Sequence, residues 1–180
     1  SEEVEFQINL VDAAGNQATR STLTEGDGVI VDLVGPVLSE IIIISDNDNV
    51  SWGREGDNIT LSFTSNETIQ TPDLTNISIF GLTDLVFTSL NDNNTRWQVK
   101  GTVDKDAVSG VGGSGGSGYA DFSISVTDQA GNTGSSVADV TRGERVALDV
   151  EAPVVNAVNI RSSNDNSSLA KAGDNITLEF

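Results

Sequence analysis

The side chains of this chain that could do chemistry are carboxylates and amides, and they stand in turn-like sequences between short apolar runs. The sequence Asp-Ala-Ala-Gly-Asn at residues 12–16 returns as Asp-Gln-Ala-Gly-Asn at residues 128–132. Asp-Asn-Asp-Asn at residues 46–49 returns as Ser-Asn-Asp-Asn at residues 163–166. These residue types are typical of hairpin turns, and their hard oxygen atoms are also ligands that Ca²⁺ takes. A solvated turn is therefore the first interpretation, and a calcium site is the alternative.

The calcium alternative predicts two places, because the loops at each end of an antiparallel sandwich lie beside the linkers of the unit. The predicted ligands are Asp32, Asp128 and Asn132 at the preceding linker, and Asp46, Asp48, Asp149 and Glu151 at the following one. Backbone carbonyls and waters would complete about six to eight contacts. The run at 46–49 is not an EF-hand loop, because Val50 and Ser51 stand where that loop needs an oxygen ligand and Gly.

Catalytic chemistry lacks its usual parts in this sequence. The chain contains no His and no Cys, so the common general base, the thiolate nucleophile and the usual zinc ligands are missing. The Gly/Ser run at 112–118 has no Gly-Lys-Ser/Thr and cannot be a phosphate-binding loop. The sequence therefore predicts a protein that is not an enzyme.

Charge excludes two classes of partner. The chain has 27 acidic and 9 basic residues and a formal net charge of −18, so it cannot displace the counterions of nucleic acid or bind an anionic membrane surface. The longest apolar run, at residues 41–44, is far too short to cross a bilayer. We therefore expect no nucleic-acid partner and no membrane insertion.

Short runs of alternating apolar and polar residues recur along the whole chain and predict an all-β protein. The strands predicted in the central part are 38–45, 58–64, 76–80, 85–88, 96–103, 120–127 and 137–149, the last broken at Gly143. About seven short strands with regular turn signals are typical of an antiparallel β-sandwich.

The elements that carry these turns are repeated. Pairing residues 35–63 with residues 152–180 leaves 15 of 29 positions identical at an offset of 117. Self-similarity at a fixed period indicates a tandem array. The predicted division is therefore the last strands of a preceding repeat at 1–34, one complete repeat at 35–151, and the first strands of a following repeat at 152–180. The Gly/Ser run at 112–118 has two open interpretations, an engineered linker or a natural loop.

The two tryptophans are predicted to pack in apolar surroundings. Trp97 alternates with Val99 and belongs to the core pattern of its strand, and Trp52 is replaced by Leu169 in the second copy. Residues this sparse do not predict an exposed aromatic surface for a carbohydrate.

The order of these motifs resembles the immunoglobulin-like tandem repeats of large bacterial surface proteins and adhesins. The resemblance is carried by Pro36 with its following strand, by Gly-Asp-Asn-Ile-Thr-Leu-x-Phe at 56–63, and by Phe-Ser-Ile-Ser-Val-Thr-Asp-x-Ala-Gly-Asn at 122–132. It implies an immunoglobulin-like β-sandwich on the cell surface or outside the cell, acting as a spacer, stalk or adhesive module whose partners are neighbouring repeats.

Two other functions stay open. The incomplete end pieces would suit a self-assembling extracellular filament, in which a neighbouring subunit adds a strand to an open edge. A protein- or carbohydrate-binding domain is the third alternative.

Overall fold

The computed structural model describes residues 2–109 and 117–180. Most of the Gly/Ser run at 112–118 lies outside the described residues, so both interpretations of it stay predictions. The chain divides into two compact units, Ser1–Val150 and Glu151–Phe180. The finer division into 1–34, 35–151 and 152–180 stays a prediction. Among the described residues, no helix is long and apolar enough to cross a membrane.

The first unit begins with two small antiparallel pairs. Their strands are β1 (Glu2–Glu3), β2 (Ile8–Val11), β3 (Gln17–Arg20) and β4 (Ile30–Val31). β2 and β3 form a hairpin around residues 12–16, and β1 pairs with β4. This segment thus forms four short strands, because β1 and β2 pair with different partners.

The rest of the first unit holds nine strands in its described residues. These are β5 (Leu38–Ser45), β6 (Trp52–Gly53), β7 (Asn58–Ser65), β8 (Ile77–Ile79), β9 (Leu82–Ser89), β10 (Arg96–Val103), β11 (Ser117–Tyr119), β12 (Phe122–Ile124) and β13 (Ala147–Asp149). One α-helix, α1 (Lys105–Ser109), follows β10, and a short 3-10 helix (Leu74–Asn76) precedes β8.

These strands form three sheets. β5, β7, β10 and β9 form, in that order, a four-stranded antiparallel sheet. β11, β13 and β6 form a three-stranded sheet in which β13 and β6 run parallel. β8 pairs with β12 in the antiparallel sense. The predicted all-β class, built mainly of antiparallel sheets, is confirmed.

Buried side chains from all three sheets form one core. In β7 every second residue is buried, and Ile59, Leu61 and Phe63 are at most 2% exposed. Trp97 is buried in the same core, and its indole N–H donates a hydrogen bond of 3.0 Å to the Asn94 carbonyl. The prediction that Trp97 is a core residue is confirmed.

The strand predicted over 137–149 is wrong for most of its length. Val137 makes only an isolated bridge to Ile124, and the strand is confined to β13. The predicted break at Gly143 is confirmed by its positive φ of 78°, which places the backbone in the left-handed region, but residues 138–142 and 144–146 on either side of it form no strand. The predicted strand over 120–127 is likewise shortened to β12.

The prediction that Trp52 packs in the interior is also wrong, because its side chain is 48% exposed. Gly53 takes the inward place on β6, where an added Cβ would lie 3.0 Å from both the Leu148 and the Ile59 side chains. Successive residues of a strand face opposite sides, so Trp52 faces outward. A strand of two residues shows no period from which this could be predicted.

The second unit contains one hairpin, β14 (Asn159–Ser162) paired with β15 (Ile176–Glu179). Its register repeats that of β5 and β7 at an offset of 117. Ser162 pairs with Ile176 as Ser45 pairs with Ile59. The burial differs, because Leu178 is 56% exposed whereas its equivalent Leu61 is fully buried. The hairpin therefore forms in the same register whether its inner side chains are buried, as in β5–β7, or exposed, as in β14–β15.

Candidate functional site

The repeated Asp-x-Ala-Gly-Asn sequences form the same turn twice. The Asp12 carboxylate accepts hydrogen bonds from the backbone N–H of Asn16 at 2.8 Å and from its side-chain amide at 2.7 Å. Asp128 accepts the same pair from Asn132 at 2.8 and 2.9 Å. The intervening glycines have positive φ of 89° and 95°. The turn interpretation is confirmed in both copies.

The turn keeps both carboxylates ionised at neutral pH. The side-chain amide of Asn16, followed by its backbone N–H, holds the pKa of Asp12 below its usual value. At Asp128, burial acts to raise the pKa, but the hydrogen bonds from Asn132 outweigh burial and the pKa is lowered. Hydrogen bonds to a charged carboxylate favour that form. Each ionised carboxylate thus caps backbone N–H groups of its own turn.

Asp46, one of the predicted calcium ligands, has a similar structural task. Its carboxylate accepts hydrogen bonds from the Asn58 backbone N–H at 2.7 Å and side-chain amide at 2.8 Å. These bonds, the side-chain amide first, hold its pKa below the usual value. In the second copy the Ser163 hydroxyl accepts the equivalent bond from the Asn175 backbone N–H at 3.0 Å. A neutral hydroxyl can therefore replace the carboxylate.

The loop that follows β5 is fastened by its amide side chains. Asn47 donates from Nδ2 to the Asp57 carboxylate at 2.8 Å and accepts from the Asn49 backbone N–H at 3.0 Å. Asn164 makes the same two bonds at 2.9 and 3.1 Å, the first of them to Asp174. The Asn-rich sequence therefore specifies one loop conformation that recurs in the two copies.

One group of carboxylates does converge. An oxygen atom from each of Asp32, Glu67 and Asp128 lies within 4.8 Å of the others. The Asn132 side chain binds the Asp32 backbone carbonyl at 3.0 Å. Burial, then repulsion from Asp32 and Asp128, raises the pKa of Glu67. The three residues predicted at the preceding linker are thus brought together, with Glu67 as a fourth that the sequence did not indicate.

Three of the residues predicted at the following linker, Asp46, Asp48 and Asp149, form no such group within the described part of the first unit. All three belong to the first unit, and in its described part none of them belongs to a group of carboxylates close enough to hold one metal ion. Glu151 belongs to the second unit. The carboxylate of Asp46 is committed to Asn58, and Asp48 lies exposed in the loop after β5.

A cavity of about 640 Å³ lies among the first strands, and its apolar lining residues are equivalent to core residues of the central part. Phe6 and Val29 line it, and their equivalents Phe122 and Val146 are buried in the core of the central part at 6% and 0% exposure. The apolar lining of the cavity thus corresponds in sequence to core positions of the central part and does not by itself indicate a ligand.

Comparison with known proteins gives no relative from which a role could be transferred. No family model, no curated protein and no solved structure matches this chain.

Proposed function

We propose that this chain is part of an extracellular array of immunoglobulin-like β-sandwich repeats that acts, without catalysis, as a spacer, stalk or adhesive module of a bacterial-type surface protein. The observation that carries the proposal is the duplicated hairpin. β14–β15 repeats the register of β5–β7 and the hydrogen bonds of the loop that follows β5. A sequence period accompanied by the same local structure supports repeated units of one fold.

A two-layer sandwich accounts for the single core. Leu148 of the three-stranded sheet and Ile59 of the four-stranded sheet both approach Gly53, and all the buried apolar residues belong to one cluster. Two sheets that share one apolar interior are typical of a β-sandwich.

The linker between the first strands and the central part is held tightly, which supports a mechanical role. Pro36 is buried, and the Val37 backbone N–H donates to the Asn66 side chain at 2.7 Å. A Cβ added at Gly134 would lie 2.1 Å from the Pro36 carbonyl. A linker with its backbone packed against a loop restricts bending between units, as a stalk requires.

Calcium at this linker stays a proposal, centred on Asp32, Glu67 and Asp128. Three carboxylates within reach of one another would bind a hard cation. The test is the melting temperature of the chain in millimolar Ca²⁺ and in EDTA. A rise in Ca²⁺ that is lost in Glu67→Gln supports the site, and equal melting temperatures exclude it.

Surface exposure is tested on intact cells of the source organism. Antibodies against the folded chain should label intact cells, and mild protease treatment should remove the label. Labelling that appears only after lysis would contradict the proposed location.

A filament is the second candidate, favoured by the exposed apolar side chains of the end strands. Leu10 is 63% and Phe180 87% exposed, whereas their equivalents Val126 and Phe63 are each 2% exposed. Strands with open edges and uncovered apolar faces recruit further strands from a neighbouring subunit. A monodisperse monomer in size-exclusion chromatography and negative-stain microscopy would exclude this candidate.

A further inference from the structure

Two exposed aromatic side chains stand in one row across the outer face of the three-stranded sheet. Tyr119 of β11 pairs with Ala147 of β13, and Ala147 pairs with Trp52 of β6. Residues on one rung face the same side of a sheet, and neighbouring strands lie about 4.8 Å apart, so the two aromatic residues are separated by about 10 Å. Trp52 is 48% and Tyr119 49% exposed.

The adjacent rung shows that this row faces outward. Gly118, Leu148 and Gly53 occupy it, and Leu148 and Gly53 are buried. Because side chains alternate between the two faces of a sheet, the row of Trp52 and Tyr119 lies on the opposite, solvent side.

The Tyr119 ring is held in place by charged neighbours. The Arg145 guanidinium lies over the ring, 4.2 Å from its centroid, and is paired with the Asp121 carboxylate. Asp149 follows Ala147 by two residues on the same strand, so it faces the same side. Glu144 accepts a hydrogen bond of 3.5 Å from the Ser51 hydroxyl next to Trp52. One cation and three carboxylates leave the surroundings negative.

The fold does not require these aromatic residues. The equivalent of the Tyr119–Ala147 pair is Glu3 with Ile30, which β1 and β4 place in the same pairing. The equivalent of Trp52 is Leu169. The backbone N–H of each donates a hydrogen bond of 2.9 Å to the carbonyl of the residue three positions earlier. The other copies thus keep the strand pairing at Glu3 and the backbone bond at Leu169 without an aromatic ring.

We propose that the row of Trp52, Ala147 and Tyr119 is a binding platform for a neutral glycan. Aromatic rings present flat apolar faces, which suit the C–H faces of pyranose rings. The Trp52 ring would stack on one sugar unit, and the Tyr119 ring, one face of which Arg145 covers, would offer its other face and its edge to the next unit. Carboxylates at the border accept hydrogen bonds from sugar hydroxyls. The negative surroundings, on a chain of net charge −18, repel anionic glycans and nucleic acids.

A protein partner fits this surface less well. Two aromatic side chains bury about 500 Å² at most, and a stable protein interface needs about 1,000 Å². A neutral polysaccharide contains many identical sugar units, each of which can bind weakly to one small platform. This repetition raises the apparent affinity of the polysaccharide for the protein. This inference does not depend on the array proposed above, because the platform lies entirely on the sheet of one unit.

The test uses the intact chain and its intrinsic fluorescence. Trp52 is exposed and the other tryptophan is buried, so sugar binding should change the emission and protect Trp52 from acrylamide. The probes are cellohexaose, chitohexaose and mannohexaose, with polygalacturonate as the anionic comparison. The same proteins are then tested for retention on insoluble cellulose and chitin.

The variants take their residues from the equivalent positions of the chain's other copies, Leu169 for Trp52 and Glu3 for Tyr119. Trp52→Leu and Tyr119→Glu should weaken binding about tenfold each, because each removes one stacking face. Val86→Ala, an exposed apolar residue of β9 in the other sheet, should bind like the unmodified chain. Unfolding curves confirm that each variant is folded, and either aromatic variant alone can decide the test.

The proposal is supported if at least one neutral oligosaccharide binds the unmodified chain and binds an aromatic variant more weakly. Absence of binding to all three neutral probes and both polysaccharides overturns it. A weakening of less than about threefold in a folded aromatic variant, or tighter binding of polygalacturonate, also overturns it.

Discussion

Asn47→Ala measures how far the loop after β5 contributes to the stability of the first unit. The substitution removes the bond to the Asp57 carboxylate at 2.8 Å and the bond from the Asn49 backbone N–H at 3.0 Å. A bond to a charged group and a bond between neutral groups, both partly exposed, together contribute about 2 kcal/mol. Asp57 keeps the Arg54 backbone N–H at 2.9 Å, so its charge is not left without a partner.

The expected result is a lower melting temperature for the main transition, measured by calorimetry on the intact chain. For a unit of about 150 residues, 2 kcal/mol corresponds to a decrease of about 4–8 °C. Asn164→Ala is the matched control, because it removes the same two bonds from the second copy at 2.9 and 3.1 Å. The second unit has no comparable core, so this variant should leave the main transition within about 1 °C.

Two outcomes would refute the reasoning. A decrease of less than about 1 °C for Asn47→Ala would mean that water replaces the lost bonds at no cost. An equal decrease for Asn164→Ala would mean that the hairpin β14–β15 contributes to the same cooperative transition as β5–β7.

Three further predictions follow from the same comparison of copies and from the acidic cluster. Leu61→Ala should destabilise the chain by about 2–5 kcal/mol in denaturant unfolding, and Leu178→Ala by less than about 0.5, because only Leu61 is buried; similar losses would contradict the exposure of Leu178. Asp46→Ser, which copies Ser163, should cost about 1 kcal/mol and leave the response to Ca²⁺ unchanged, since a hydroxyl keeps the bond from the Asn58 backbone N–H but not the one from its side-chain amide; a loss above about 2 kcal/mol would show that the charge itself is needed. Glu67→Gln should stabilise the chain by about 0.5 kcal/mol at pH 7, because its pKa is raised and the ionised form is disfavoured in the folded state. The cost of ionising Glu67 develops as the pH rises from the ordinary to the raised pKa, so the gain should vanish below about pH 4 in melting curves; a gain that persists there would contradict the electrostatic explanation.

The strands that were predictable from the sequence are those with a clear apolar pattern. β10 has the predicted bounds because it alternates apolar and polar residues over eight positions, and β5 has them because its run of isoleucines ends at the turn residues 46–49. The failures have local causes. β6 and β11 are too short to show any period, and the predicted last strand is not formed at residues 138–146, on either side of the predicted break at Gly143.

The candidate site was predictable only where the chain repeats. The turns of Asp12 and Asp128 were expected from their shared sequence, and they form the same bonds. Glu67 was not predicted, because it stands in the part of the repeat that occurs once, far along the chain from Asp32 and Asp128. The exposure of Trp52 was mispredicted, because its replacement by Leu169 was interpreted as a sign of packing. Leu169 is itself 63% exposed.

The hairpin that forms in the same register with and without a core creates a competition during folding. Local hairpins close in about 1–10 μs, much faster than a whole sandwich assembles, so two interchangeable segments exist before the core does. Their inner residues do not distinguish them, since Ile59, Leu61 and Phe63 recur unchanged. The difference lies on the outer side of the first strand, where Ile42 and Ile44 correspond to Asn159 and Arg161. Synthesis from the N-terminus therefore gives β5–β7 the first access to the core, because β14–β15 is made later.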